Sequence, residues 1–346
     1  GLGLINFYHY YNLLDRSSFD IGQNNIGLTS EFGEDSLDDE GENVNDAYEE
    51  IVEATPDEII AIEEDLENNI EDMASNSELY NTDCFNLLLI GVDSRSNNYS
   101  GRSDVMILVS INKETKRVVM TSILRDTFVS IPGNGTNRLN AAYAYGGEDL
   151  LVETIKANFG IDVDRCAIVN FYVVMDLVNA VGGVDIELSS DEIKVMNKYY
   201  IEGWNYIFDE PKGTDIIDES LAGTTVHLNG KQALAYARVR YVGTDFARTA
   251  RQREVIMLCL EKIKGMSLSE LDTLAEELLP KIRTNLTESD CASLLLMALN
   301  ISSYSFDNMT IPIEGSWSNV NIRGMSVLAI DFQKNTEAWF NLVQGE

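Results

Sequence analysis

Histidine is almost missing from this chain. His9 and His227 are the only two in 346 residues, which removes most histidine-based acid–base chemistry and leaves no Ser-His-Asp arrangement to argue. Cysteine is nearly as sparse. Cys84, Cys166, Cys259 and Cys291 form no CxxC pair and have no histidine close by in sequence, so a zinc site is not expected. Each lies in an apolar stretch and reads as a small buried hydrophobe. No apolar run reaches the ~18 residues needed to cross a bilayer. A phosphate-cradling GxxxxGK[ST] loop is absent, and Gly133-Asn134-Gly135 lacks both the lysine and the strand-to-helix setting, which disfavours a nucleotide enzyme. Positive charge is absent from residues 31–83, which hold 21 acids and no lysine or arginine.

The net charge of −32 is therefore unevenly spread. Residues 1–83 carry 23 acids against Arg16 alone, a net of −22, and the remaining 34 acids and 24 bases give −10. Because the Debye length is about 8 Å at physiological salt, acids on an extended segment barely touch a more distant pocket. An anionic ligand stays possible. A nucleic acid does not, since its binding needs a basic face and no such motif occurs.

With 45% hydrophobic residues the chain can bury a sizeable core. The organisation expected is an acidic, membrane-proximal linker over 1–83 and a catalytic domain over 84–346. Stretches such as Asp38-Asp39-Glu40 read as solvated linker. One island differs: Thr55-Pro56-Asp57-Glu58 forms a capping box, and Ile59, Ile62, Leu66, Ile70 and Met73 recur at helical spacing, which predicts a helix over 56–74 docked on the body or on another copy. The chain opens Gly1-Leu2-Gly3 rather than with methionine, and Phe7, Tyr8, His9, Tyr10 and Tyr11 would suit the interfacial belt that follows a membrane helix. A fragment preceded by such a helix is the expectation.

The body begins at Cys84. Strands are expected over 85–92, 104–111 and 118–124, the last two joined as a hairpin by Asn112-Lys113-Glu114-Thr115-Lys116. Helices follow at 148–158, 172–181, 231–237, 246–263, 268–279 and 288–299, with strands at 167–171 and 184–188. Strands apolar on both faces and interleaved with helices predict an α/β fold, a mixed central sheet sandwiched between helices.

Against this background the arginines stand out. Arg95, Arg102, Arg117, Arg125 and Arg138 form one cluster and Arg238, Arg240, Arg248, Arg251 and Arg253 another, with no lysine in the second. Guanidinium groups grip phosphate or carboxylate bidentately. Asp93 closes the first strand and Asp104 opens the second; beside an anion, two carboxylates are costly unless a divalent cation lies between them, which points to metal-assisted phosphate chemistry. Arg238 and Arg240, two apart, share a face in an extended segment. Arg248, Arg251 and Gln252, three and four apart, share a face of a helix.

The motifs Leu88-Leu89-Ile90-Gly91-Val92-Asp93-Ser94-Arg95, Arg102-Ser103-Asp104, Ser122-Ile123-Leu124-Arg125-Asp126-Thr127, Leu139-Asn140-Ala141-Ala142-Tyr143, Val181-Gly182-Gly183-Val184, Leu228-Asn229-Gly230-Lys231-Gln232-Ala233-Leu234, Tyr236-Ala237-Arg238-Val239-Arg240 and Asp245-Phe246-Ala247-Arg248-Thr249-Ala250-Arg251-Gln252-Arg253 resemble the LytR-CpsA-Psr family, in the family's order. The resemblance implies a membrane-anchored enzyme on the outer face of Gram-positive-type cells. Such an enzyme moves a glycopolymer, a teichoic acid or capsular polysaccharide, from an undecaprenyl-pyrophosphate carrier to peptidoglycan, with lipid pyrophosphate hydrolysis as a side activity. It further implies Mg²⁺ held by Asp93 and Asp104, a catalytic set completed by Arg102, Arg125, Arg238 and Arg240, and substrate contacts from Arg95, Arg248, Arg251 and Gln252. Arg138 stands where many members have lysine. A non-turning-over module that binds polyprenyl phosphate or wall polymer is the alternative.

Overall fold

The computed structural model describes residues 2–16, 52–75, 82–92, 102–240, 242–298 and 300–345. Its described residues divide into two compact units: the first takes in those of 1–19, 49–173 and 275–346, the second those of 174–274. Helices α4 (Phe171–Ala180) and α9 (Leu268–Leu278) carry the chain across the two divisions.

In the first unit, α1 (Leu2–Leu13), β1 (Val52–Glu53) and α2 (Pro56–Ser75) precede β2 (Phe85–Val92), β3 (Ser103–Asn112) and β4 (Arg117–Ile123). The hairpin β5 (Phe128–Ile131) and β6 (Gly135–Arg138) leads to α3 (Leu139–Phe159) and β7 (Arg165–Asn170). After the second unit come β10 (Arg283–Thr284), α10 (Glu288–Ala298), β11 (Ser305–Ile311), β12 (Trp317–Ile322), β13 (Met325–Ile330) and α11 (Phe332–Gln344). The central sheet has the order β10-β7-β2-β3-β4-β11. It is mixed: β7 and β11 run parallel to their neighbours β2 and β4, and the other pairs are antiparallel.

Alternation decides its packed face. Leu88, Ile90 and Val92 of β2 are fully buried in one cluster with Met106, Leu108 and Val119, and with Ile155 and Trp339 of α3 and α11. Asn112 closes the expected hairpin, its Oδ1 accepting from the backbone N–H of Glu114 and Thr115 at 3.0 Å each. α3 starts nine residues earlier than the periodicity predicts, because Gly146 and Gly147 (φ 66°) interrupt its winding. That kink hides the first turns, which Leu139, Ala142 and Tyr143 bury.

α2 occupies Pro56–Ser75. Thr55 and Glu58 close the predicted capping box, Glu58 Oε2 accepting from Thr55 N at 2.7 Å and Thr55 Oγ1 from Glu58 N at 3.3 Å. Leu66 and Met73 are buried, and Ile59 and Ile62 pack at the margin of the same core. Across the helix, Glu63 accepts from Thr136 Oγ1 at 2.8 Å and pairs with Arg323. The helix thus docks on the body of its own chain.

The second unit is built on the hairpin β8 (Val184–Leu188) and β9 (Thr224–Leu228), with α5 (Ser190–Val195), a π-helical stretch over Met196–Ile201, α6 (Glu202–Ile207), α7 (Gly230–Arg238) and α8 (Asp245–Lys264). Gly183 (φ 85°) ends α4 with no alternative: a Cβ there would lie 2.4 Å from His227 Nε2. Among the cysteines, Cys84, Cys166 and Cys259 are buried free thiols, as small hydrophobes would be, and Cys291 is half-buried. Burial pushes the Cys166 thiol up to about 12 and that of Cys259 to about 11.

Docking of α2 makes a prediction about the acidic segment. A shortened chain that begins near residue 50 loses the bonds of Asp15 to Ile282 and Thr284 but keeps α2, so its thermal midpoint should stay well above that of one that begins at Thr82. Leu66→Ala in the parent costs about 2–5 kcal/mol in denaturant unfolding; a cost within a few tenths would contradict the docking.

Candidate phosphate-binding site

In the first unit the site is built around a loop held by its backbone. Leu124 N donates to Ile311 O (2.9 Å), Arg125 O accepts from Asn140 N (3.2 Å), Asp126 O accepts from Leu328 N (2.9 Å), and Thr127 donates to Leu124 O while its own carbonyl accepts from Leu139 N. The four residues are tied to three elements, β11, α3 and β13, so the Arg125 side chain starts from a fixed root.

From that root Arg125 Nη1 reaches Asp104 Oδ1 at 2.5 Å, and Arg125 Nε lies 3.5 Å from Asp126 Oδ2. Asp126 Oδ1 in turn accepts from Arg138 Nη1 at 3.2 Å. The result is an alternating row, Asp104–Arg125–Asp126–Arg138, whose side chains are 16 to 27% exposed. Asp126 was not singled out from the sequence; the signal available was its place next to Arg125.

Asp104 owes its place to the end of the β2–β3 ladder. Val92 pairs with Ser103 across a register shift after Gly91, and a Cβ on Gly91 would meet Val105 Cβ at 2.9 Å, so this approach of the strands requires glycine. Arg102 lies exposed just before the strand. Asp93 and Arg95 lie outside the described residues. Among the described residues no three His, Cys, Asp or Glu side chains gather as a metal site. Asp104 would offer one hard oxygen to Mg²⁺, an ion that keeps several waters and takes oxygens from substrate phosphate.

The second unit positions the other arginines. Asn229 caps α7, its side chain accepting from Gln232 N at 2.9 Å while Gln232 returns the bond. Within α7, Lys231 is buried and donates to Asn205 Oδ1 (2.9 Å), Asp215 (2.8 Å) and Glu210. Burial alone would lower its pKa, but the bonds to Asp215 and Glu210 outweigh it and raise the value. α7 includes Arg238 as its last residue, and the next residue, Val239, is fully buried. Arg238 is thus helical rather than part of the extended segment expected of it; it and Arg240 lie on either side of Val239 in the chain, and both are half-buried.

Arg251 holds this segment. Its Nη1 donates to Val239 O (3.2 Å), Nη2 to Val242 O (2.7 Å) and Nε to Glu192 Oε1 (2.8 Å). With 7% of its surface exposed, three of its N–H groups are committed inside the unit. Arg248, 5% exposed, pairs through Nη2 with Asp245 at 3.2 Å. Its Nε and the Gln252 Oε1 are buried with no hydrogen-bond partner. Burial lowers the Arg253 pKa. At Glu192 burial works to raise the carboxyl pKa, yet two hydrogen bonds from Ser189 and the Arg251 pair outweigh it, and the value is lowered.

In the first unit guanidinium and carboxylate groups alternate on a rigid root, and in the second further arginines lie on a clamped segment; the class is an α/β protein whose arginine sets suit an anion in their chemistry. The chain belongs to the LytR_cpsA_psr family, whose model matches residues 52–342. It is 32% identical over 233 residues to the polyisoprenyl-teichoic acid–peptidoglycan teichoic acid transferase TagT of Bacillus subtilis (strain 168), covering 66% of this chain and 68% of that protein. Among solved structures, TagT bound to LIIa-WTA aligns with a TM-score of 0.59 and 28% identity over 76% of this chain and 91% of that one. YwtF (TagT) with bound octaprenyl pyrophosphate lipid aligns with a TM-score of 0.55 and 26% identity over 77% and 91%. The family match begins at residue 52, ahead of α2, so the helix read as part of a linker falls within it.

The Glu192–Arg251 pair makes stability depend on acid. A carboxyl whose folded pKa lies below its unfolded value contributes fully above the ordinary carboxylate range, and that contribution is lost as pH falls through the folded value. Between about pH 6 and about pH 3, the thermal midpoint of the parent should fall more steeply than that of Glu192→Gln. Parallel curves would contradict the role given to the pair.

Proposed function

We propose that this protein transfers an anionic glycopolymer from an undecaprenyl-pyrophosphate carrier to peptidoglycan as a phosphodiester, with hydrolysis of the lipid pyrophosphate as a side reaction when water replaces the acceptor. The carrying observation is the Arg125 loop, a cation on a backbone-fixed root between two carboxylates. The names of the relatives, and the polyprenyl pyrophosphate and teichoic acid in their structures, support the same reading. The protein would act at the outer face of the cell membrane, behind an N-terminal anchor.

In the reaction an acceptor hydroxyl attacks the sugar-bearing phosphorus. Its new P–O bond forms as the bond to the bridging oxygen breaks, and polyprenyl monophosphate leaves. Phosphoryl transfer of this kind asks for positioning and charge neutralisation rather than covalent catalysis by the protein. Arg125 and Arg102 neutralise the sugar-side phosphate, and Arg125 is released to it as the anion displaces Asp104 from Nη1. Asp104 then accepts the hydroxyl proton. Arg238, Arg240, Arg248 and Gln252 are assigned to donor phosphate oxygens, and Arg251 to holding the segment that carries Arg240. Asp104 and Asp93 would hold Mg²⁺, which supplies charge neutralisation at the phosphates when bound.

Two substitutions test this. Asp104→Ala should abolish turnover in a chain that still folds, with a lower thermal midpoint because Arg125 loses one of its two carboxylates; full activity would remove its role. Arg240→Lys keeps the charge and loses the fork, so its rate should fall by roughly a hundredfold, about 3 kcal/mol, with a smaller loss of donor affinity. An unchanged rate would remove Arg240 from the site.

A further inference from the structure

Within the first unit a cleft of about 650 Å³ opens between α2 and the β12–β13 hairpin with the start of α11. None of the functional residues named above lines it. Its volume falls in the range of small-ligand sites, about 300–1,000 Å³.

The two walls differ in origin and agree in chemistry. α2 presents Asp65, Asn68 and Asp72, and the opposite wall presents Ser318, Asp331, whose Oδ1 accepts from Lys334 N at 3.0 Å, and Gln333, whose Nε2 donates to Glu337 Oε1 at 3.0 Å. No lysine, arginine or histidine is among the lining residues. An anionic polymer would meet three carboxylates and no counter-charge, which is repulsive. A lipid tail would have to strip water from carboxylates and amides without replacing their hydrogen bonds. What such walls match is a ligand rich in O–H donors, which carboxylates accept, and in acetamido groups, which side-chain amides both accept from and donate to. Half-buried Ile62 and Ile330 give apolar ground between the polar walls for the C–H faces of a sugar ring.

The cleft also shares a wall with the Arg125 loop. Phe128, which lines it, follows Arg125 by three residues, a span of at most ~11 Å of extended chain. Leu328 of β13 donates to Asp126 O and bridges Thr127, so the hairpin that forms one side of the cleft is bonded to the loop that positions Arg125.

We infer that this cleft binds an uncharged glycan built of N-acetylated sugars and so holds the acceptor strand beside the reacting phosphate, an inference that rests on the transferase reading for its role but not for its detection. Titration calorimetry of the full chain with a soluble oligomer of N-acetylglucosamine requires no turnover. The parent should bind it, and Asn68→Trp and Ser318→Trp, which fill the cleft from opposite walls, should each weaken binding by roughly tenfold or more with unchanged thermal midpoints. In the transfer reaction the same variants should raise KM for the acceptor and leave KM for the lipid donor as it is. If one variant fails to fold, the other decides. No binding by the parent, binding of the deacetylated cationic oligomer alone, or equal affinity in a folded variant would overturn the proposal. Glycan binding without turnover would instead sink the transferase reading and leave the cleft standing.

Discussion

Arg125 is held from two directions, and the rest of the first unit is arranged around that fact. Its backbone is tied through Leu124 to β11, through its own carbonyl to α3 and through Asp126 to β13, while its guanidinium lies between Asp104 and Asp126. In a chain of net charge −32 a half-buried cation without carboxylates beside it would be costly to desolvate, and one with too many would be closed to an anion. Pairing one guanidinium with two acids, one of them shared with Arg138, sits between those limits. Breaking such a pair by removing one member leaves an uncompensated charge, typically a matter of about 3–5 kcal/mol, so an incoming phosphate that replaces Asp104 must offer at least as much.

The second unit solves the same problem by a different route. Arg251 does not wait for a ligand. Its donors go to two backbone carbonyls and Glu192, which ties Val239 and Val242 to α8. On the same helix, three residues before Arg251 and one after it, Arg248 Nε and Gln252 Oε1 are buried with no partner.

Much of this was legible in the amino-acid sequence, for reasons that are local. β2, β3 and β4 are apolar runs bounded by turn residues, α2 carries its own capping box, and Asn112 marks the hairpin turn. The expected pairing of Arg238 with Arg240 on an extended face did not allow for α7 running through Arg238. What local pattern does not carry is long-range pairing. Glu192 and Arg251 are 59 residues apart, and nothing in the helical spacing of Arg251 says that it faces inward. Asp126 looks like an ordinary turn residue until Arg138 is folded back onto it. The C-terminal β11, β12, β13 and α11 were missed altogether. β11, at the sheet edge, reads Ser-Phe-Asp-Asn-Met-Thr-Ile with no clean alternation, and α11 shows its buried Trp339 only against Ser110 of β3. The cleft beside α2 escaped for the same reason, since its walls lie some 250 residues apart along the chain.

The central claim is that the arginine and aspartate arrangement performs phosphoryl transfer rather than storing a bound lipid. Incubation of the full chain with a polyprenyl-pyrophosphate-linked glycan, Mg²⁺ and peptidoglycan strands, followed by phosphorus-31 NMR of the products, tests it most directly. The account predicts that the diphosphate resonances give way to equal amounts of a phosphodiester on the peptidoglycan and free polyprenyl monophosphate. Diphosphate that is bound yet persists unchanged in the presence of acceptor would contradict it.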